Sequence, residues 1–265
     1  MTFHNEDALN AAETAIEEGL AAEALEILAA CDRDDPERAL LATLAFIDIG
    51  QLADAGRELH VARAGLAADD ALLHWVEAEL ALAEWRIEDA RGFLERLVAD
   101  EANVTALERL ALCLDLAEDF EGADRLLARA HTLDPKDAPL PPRLSAEEFD
   151  AVVDEVLRNL PRAFKGALEN TRIVIEPMPF AALVLPSDPG LTPPDILGLF
   201  TGSSQLERSD EDLELPPAIY LFQRNLERFS RDTLDLREQI RITLYHEIAH
   251  RLGFEEEGVD AMGLG

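Results

Sequence analysis

Residues 241–265 of the chain are RITLYHEIAHRLGFEEEGVDAMGLG, and the five-residue segment HEIAH lies inside this stretch. His246 and His250 are four residues apart, so on a helix they lie one turn apart on the same face. That spacing allows two imidazoles to bind one zinc ion. Glu247 follows the first histidine, where a carboxylate can accept a proton from a zinc-bound water. The segment therefore predicts a zinc centre with Glu247 as its general base.

The sequence around HEIAH has the features of one long helix. No proline or glycine occurs from Leu234 to Leu252, and leucine or isoleucine recurs every four residues over this span. Gly253 follows, and glycine is common just past helix ends. The pattern predicts a helix over residues 234–252 that carries both histidines.

Composition limits the class of protein. The chain has 265 residues, of which 48% are hydrophobic, so two domains with their own cores are expected. Acidic residues outnumber basic ones by 55 to 23, and the formal net charge is -32. Such a surface repels nucleic acid and anionic membranes, so neither is expected as a partner. The opening MTFHNEDALN lacks the segments of a signal peptide, and the two cysteines, Cys31 and Cys113, are expected to be free thiols. These features predict a cytoplasmic protein.

Residues 1–135 predict consecutive helices rich in alanine and leucine. Four similar segments carry an alanine near the start of the second helix of a pair, with spacings of 31, 35 and 33 residues: Ala24, Ala55, Ala90 and Ala123. The preceding turn has Gly19 and Gly50 in two segments, and Trp85 and Glu118 in the other two.

The spacing of these segments is close to that of tetratricopeptide repeats, which they resemble. Stacked helix pairs form a superhelix with a concave groove. Such a groove can bind a protein partner or a peptide. The alternative is a helical cap that only stabilises or shields the second domain.

Residues 136–144 are predicted to form a proline-rich linker, and residues 145–265 a small α+β domain. Ser145 and Glu148 have the spacing of a capping box at a helix start. The segments RIVIEP, ILGLFTG and AIYLFQ predict strands, and AALVL at 181–185 is expected to form a further short strand.

The order of these segments carries a family resemblance. The segments are a helix that ends at Leu160-Pro161, a strand that ends at Pro177, the strand LGLFTG at 197–202, a strand that ends at Phe222, and the stretch from Thr243 to Gly253. In this order they resemble the zincin-like metallopeptidases with a minimal metzincin, matrix-metalloprotease-like fold, over about residues 146–265. The resemblance implies zinc-dependent hydrolysis of protein or peptide substrates. It also implies that the 197–202 strand is the sheet edge that receives substrate, although a plain core strand is equally consistent with the sequence.

The third zinc ligand is constrained by composition. A catalytic zinc usually has three protein ligands and an open position. His246 and His250 are the only histidines in residues 136–265, and both cysteines lie before residue 136. The third ligand is therefore expected to be an oxygen group, unless the repeat domain supplies a ligand.

The metzincin pattern HExxHxxGxxH gives this ligand a position. Its last residue corresponds here to Glu256, three residues after Gly253. Relatives look to have aspartate at that position, and glutamate is one methylene longer. The neighbouring carboxylates remain alternatives: Glu255, Glu257 and Asp260. Met262 is not expected to form the Met-turn of larger metzincins.

Two functions are consistent with these features. The first is a zinc-dependent metallopeptidase whose helical repeats bind the substrate or a partner protein. The second is a non-catalytic repeat scaffold with a structural or vestigial zinc site.

Overall fold

The computed structural model describes residues 2–100, 103–168, 171–186, 191–193, 196–202 and 217–253. Its contacts divide the chain into two compact units, residues 1–138 with 190–193 and residues 139–189 with 194–265. In the described residues the first unit is helical, and the second combines helices with a three-stranded sheet. The expected fold class, an all-α domain plus a small α+β domain, is confirmed. None of the described helices is both long enough and apolar enough to cross a membrane.

The first unit consists of helices that pack as consecutive pairs. Alanine and leucine fill its buried positions, which allows the helices to approach closely. The described helices are α1 (Thr2–Glu17), α2 (Ala21–Leu28), α3 (Pro36–Asp48), α4 (Leu52–Gly65), α5 (Ala71–Ala83), α6 (Ile87–Asp100), α7 (Val104–Leu116) and α8 (Phe120–Leu133).

The turn inside each pair has the same backbone geometry. One residue in every turn has a positive φ: 75° at Gly19, 71° at Gly50, 59° at Trp85 and 63° at Glu118. Its N–H donates to the carbonyl oxygen three residues earlier, and the next N–H donates to the carbonyl oxygen five residues before it. This is the Schellman motif that ends helices.

The repeated turns have the spacings expected from the sequence, and the four alanines used to align the segments are all fully buried. The first unit is therefore an array of similar helix pairs. Its assignment to the tetratricopeptide class, and the domain boundaries expected at 135 and 145, stay predictions.

The second unit has one small sheet covered by helices. Strand β3 is central, parallel to β1 and antiparallel to β2. The core lies between this sheet and the buried faces of the first and last helices of the unit. The elements are α9 (Ala146–Asn159), α10 (Arg162–Ala167), β1 (Arg172–Glu176), α11 (Ala181–Val184), β2 (Gly198–Thr201), β3 (Ala218–Phe222), α12 (Gln223–Phe229) and α13 (Thr233–Leu252).

One expected strand is wrong. Residues 181–184 form the short helix α11, because Leu183 N and Val184 N both donate to the carbonyl oxygen of Phe180 and close a single turn. Two alanines favour this local hydrogen bonding over an extended conformation. The capping box is confirmed: Ser145 Oγ accepts from Glu148 N, and Ser145 N donates to the Glu148 carboxylate.

A buried carboxylate fixes the start of the second unit. Glu227 on α12 is 1% exposed and accepts hydrogen bonds from Arg143 Nη1 at 2.7 Å and from Leu144 N at 3.0 Å. Gln223 Nε2 donates to the carbonyl oxygen of Leu144 at 2.9 Å. The end of the expected linker is thus hydrogen-bonded to α12.

Candidate metal centre

Helix α13 carries the candidate site, and both of its ends are defined by side-chain and backbone chemistry. The Asp232 carboxylate accepts from Leu234 N at 2.8 Å and from Asp235 N at 2.9 Å, which satisfies N–H groups of the first turn. Gly253 ends the helix with a φ of 89°, in the left-handed region that favours glycine. One face of the helix is fully buried against the core, through Leu236, Ile240, Leu244 and Ile248. The predicted helix is therefore present, beginning one residue earlier than expected.

His246 and His250 lie one turn apart on this helix, and their side chains converge. The two Nε2 atoms are 2.9 Å apart, and the ring centroids are 4.6 Å apart with an interplanar angle of 70°. Both rings are half-buried. The spacing in the sequence thus brings together two nitrogen ligands at one point.

The geometry of this histidine pair fits a zinc ion. Zinc–nitrogen bonds of about 2.0–2.1 Å at a tetrahedral angle place two ligand nitrogens about 3.3 Å apart. The Nε2 atoms of His246 and His250 need to separate by only a few tenths of an ångström to reach this distance. Metal binding would use the Nε2 lone pairs of both neutral imidazoles.

The Glu247 side chain projects from α13 and is buried against the sheet. Its exposed fraction is 6%, and it lies against β2 at Gly198. A Cβ atom built on Gly198 would lie 3.0 Å from both Cγ and Oε1 of Glu247. The carboxylate of the predicted general base is therefore held at strand β2, next to the turn of α13 that carries the two histidines.

Arg251 belongs to the same buried stripe as Glu247, and it was not selected as a site residue from the sequence alone. Thr243, Glu247 and Arg251 recur every four residues on α13, and all three are buried. The guanidinium of Arg251 lies 5.8 Å from the centre of the Phe200 ring on β2, and its Nε donates to Thr171 Oγ1 at 3.3 Å. The four-residue spacing from Glu247 is the only signal in the sequence that could have indicated this stripe.

The predicted third ligand lies outside the described residues. This holds for Glu256 and for the alternatives Glu255, Glu257 and Asp260, as well as for Met262. Within the part of the chain that the structure describes, no three His, Cys, Asp or Glu side chains are grouped closely enough to hold a metal ion. The assignment of Glu256 stays a prediction.

A comparison with protein families identifies this region. Residues 168–264 match the model of the Zincin-like metallopeptidase family. The match to these zincin-like metallopeptidases includes β1, β2, β3 and all of α13, and hence Gly198 and the HEIAH segment. The expected resemblance is therefore confirmed, from residue 168 rather than from about 146. No curated protein matches the chain.

The zincin-like match supports a function of the zinc metallopeptidase type for this region. It covers less than half of the chain and leaves the paired helices of the first unit outside. A zinc ion is the metal that this family normally binds, and protein or peptide substrates are what a peptidase acts on.

Proposed function

We propose that the chain is a zinc-dependent metallopeptidase that hydrolyses peptide bonds. The observation that carries the proposal is the 2.9 Å distance between the Nε2 atoms of His246 and His250, beside the buried Glu247 carboxylate. Two imidazoles and a neighbouring glutamate on one helix are the residue types that this chemistry needs. The family match over residues 168–264 supports the same activity.

In this proposal His246, His250 and Glu256 hold the zinc ion. When bound, the ion acidifies a water molecule and polarises the carbonyl oxygen of the substrate. A carboxylate ligand reduces the net positive charge of the centre compared with three neutral histidines, so the water is acidified less. The reaction then depends more strongly on a protein base.

Glu247 is that base. A carboxylate oxygen accepts a proton as water attacks the peptide carbonyl, and the same oxygen returns the proton to the amide nitrogen as the C–N bond breaks. The products are a carboxylic acid and an amine, and Glu247 is regenerated as a carboxylate. Its burial against β2 at Gly198 restricts the positions that the carboxylate can take, on the helical turn that carries the histidine pair.

The substrate is proposed to bind along β2. Among the described residues β2 pairs with β3 on one side only and is an edge of the sheet. An extended peptide can add to such an edge through backbone hydrogen bonds. Because Glu247 contacts this strand at Gly198, a peptide on β2 lies close to the proposed base. The helix pairs of the first unit are proposed to bind the substrate or a partner protein.

Cleavage of a peptide library tests the activity, with Glu247→Gln as the decisive variant. We expect the parent to cleave and a chelator to abolish cleavage. Glu247→Gln is expected to retain zinc and to lose roughly 10²- to 10⁴-fold in turnover, the range that a general base contributes. The readouts are mass spectrometry of the products and the zinc content.

A matched control is Glu238→Gln, on the exposed side of the same helix, where Glu238 pairs with Arg241. It is expected to keep both zinc and turnover. If the parent cleaves nothing across broad libraries, the non-catalytic scaffold is the better description. If Glu247→Gln loses zinc while the fold is intact, Glu247 has a structural role instead.

A further inference from the structure

Strand β2 approaches α13 so closely at Gly198 that a side chain has no space there. A Cβ atom on this residue would lie 2.6 Å from Thr243 Cγ2, in addition to its 3.0 Å contacts with Cγ and Oε1 of Glu247. Carbon atoms in folded proteins essentially never approach to 2.6 Å. Gly198 is not among the glycines with a positive φ, so its backbone conformation suits any residue. Residue 198 must therefore be glycine because no side chain fits between β2 and α13 at this position.

The strand is also held from the other side. Gly198 is paired with Leu221 of β3, and Phe222 N donates to the carbonyl oxygen of Leu197 at 3.0 Å. Leu221 and Phe222 are both fully buried. Moving β2 away from α13 would therefore break this ladder or disturb the core behind it.

A second contact fixes the strand two residues further along. Phe200 is on the same face of β2 as Gly198, and its ring faces the guanidinium of Arg251. Gly198 and Phe200 thus contact Glu247 and Arg251, which are one helical turn apart. With the strand held at Phe200 and by β3, an added side chain at residue 198 is accommodated mainly by displacement of the Glu247 carboxylate and Thr243.

We propose that Gly198 is a positioning residue for Glu247, because its lack of a side chain allows the carboxylate to lie between β2 and α13. This inference rests on the proposed function in that Glu247 is the general base. If this is so, a single methyl group at residue 198 displaces the Glu247 carboxylate from its catalytic position and leaves every metal ligand in place.

The test is Gly198→Ala, measured for turnover and for metal affinity. We expect kcat to fall about 100-fold, the effect of a displacement near 1 Å, while KM and zinc affinity change by less than about threefold. Zinc affinity is measured by competition with a chelator. Gly166→Ala is the control, because a Cβ on this glycine of α10 has no neighbour within 4 Å, and it is expected to change neither quantity.

The double variant Gly198→Ala with Thr243→Ser separates positioning from packing. Serine removes Cγ2, the atom nearest to the added Cβ, but leaves the contacts with Glu247. We expect the double variant to regain stability and zinc affinity if Gly198→Ala has lost them, and to remain slow. Recovery of kcat would overturn the proposal, because the defect would then lie in packing against Thr243.

A measurement that does not depend on turnover tests the role of Gly198 separately from the peptidase activity. The visible spectrum of the Co²⁺-loaded chain is titrated with pH for the parent, Glu247→Gln and Gly198→Ala. The pH midpoint of the spectral change depends on the charge beside the ion. A displaced Glu247 carboxylate should therefore shift this midpoint in the same direction as Glu247→Gln does. If the parent has no turnover, the peptidase proposal fails, and this shift still decides the role of Gly198. An unchanged midpoint, or a kcat within threefold of the parent, overturns the positioning role.

Discussion

At the scale of single residues, the two imidazoles of α13 place their Nε2 atoms 2.9 Å apart. A zinc ion needs both lone pairs and at least one more ligand, because two nitrogen atoms leave a tetrahedral ion with half of its positions to fill. We therefore expect the affinity of the proposed centre for zinc to depend on a carboxylate that follows Gly253.

Glu256→Ala tests this third ligand. We expect a loss of roughly 100-fold or more in zinc affinity, because the ion would then have only two protein ligands. Glu255→Ala and Glu257→Ala are matched controls that remove the same charge at neighbouring positions, and they are expected to stay within about threefold of the parent. Equal losses in all three variants, measured by chelator competition, would show that charge alone matters. A loss confined to Asp260→Ala would place the ligand there instead.

The sequence was sufficient to predict that His246 and His250 lie together, because their spacing is a property of one helix; the roles of these residues and of Glu247 stay predictions. The sequence was not sufficient to select Gly198 or Arg251. Their importance depends on how closely β2 approaches α13, and this distance is set by contacts between segments about 50 residues apart. Local periodicity contains no information about such an approach.

At the scale of elements, the four turns of the first unit share a left-handed residue, yet only two of them use glycine. A side chain in this conformation costs about 1 kcal/mol relative to glycine. Trp85 is partly buried, whereas Glu118 is exposed. Replacing Glu118 by glycine should therefore remove the energetic cost of the positive φ with little loss of packing.

Glu118→Gly is expected to raise the free energy of unfolding by about 1 kcal/mol, because glycine adopts the positive φ without strain. Gly50→Ala, the reverse change in the turn between α3 and α4, is expected to lower it by a similar amount. Urea unfolding followed by circular dichroism measures both. A destabilised Glu118→Gly would contradict the equivalence of the turns.

The start of α13 depends on a carboxylate that an arginine keeps ionised. The Arg231 side chain hydrogen-bonds to Asp235, and Arg231 N donates to the same carboxylate at 2.9 Å. These contacts lower the pKa of Asp235 from 3.8 to about 2. Because the pKa is lower in the folded state, the contribution to stability is complete above about pH 4 and is lost as the pH falls towards 2.

Asp235→Asn tests this dependence. The variant is expected to be less stable than the parent at pH 6, and the difference is expected to shrink progressively between about pH 4 and pH 2. Urea midpoints at pH 6, 4, 3 and 2 measure the effect. Asp154→Asn, on the exposed side of α9, controls for removal of a negative charge alone. A difference that is constant from pH 6 to pH 2 would contradict the role of the Arg231 contacts.

At the scale of the whole molecule, charge is the dominant property. The formal net charge is -32, and most ion pairs of the described residues are local pairs at the surface, such as Arg91 with Glu95 and Arg241 with Glu238. Pairs of this kind contribute little to stability. Because acidic residues outnumber basic ones by 55 to 23, we expect repulsion among the carboxylates to outweigh these pairs.

Moderate salt is expected to stabilise the chain. Raising NaCl from 10 to 200 mM shortens the Debye length from about 30 Å to below about 10 Å, so repulsion between distant carboxylates is screened. We expect the melting temperature from calorimetry to rise by several degrees, with the steepest change at low salt. KCl should act equally if screening is the cause. A melting temperature that falls with salt would show that the ion pairs dominate.

The fold class could be predicted because it depends on patterns among residues that are close together in the sequence. The recurring alanine and turn positions predicted the helix pairs, and the segments RIVIEP, ILGLFTG and AIYLFQ predicted β1, β2 and β3. The order of the strands did not follow, because the parallel pairing of β1 with β3 joins strands that are not consecutive in the chain, and no local pattern indicates it. The short helix α11 was missed because a four-residue apolar run suits a strand or a single helical turn.

Strand β2 is an edge of the sheet among the described residues, and an open edge has a consequence for behaviour at high concentration. Unpaired N–H and C=O groups that can receive an extended peptide can equally receive a strand of another copy, and this is how sheet proteins aggregate. In neutral solution every copy carries the same large negative charge, which keeps such edges apart. Near the sequence pI of about 4.3 that repulsion disappears. The acidic composition thus protects a sheet edge that the proposed peptide binding requires to stay accessible, and handling the protein in weakly acidic buffers removes this protection.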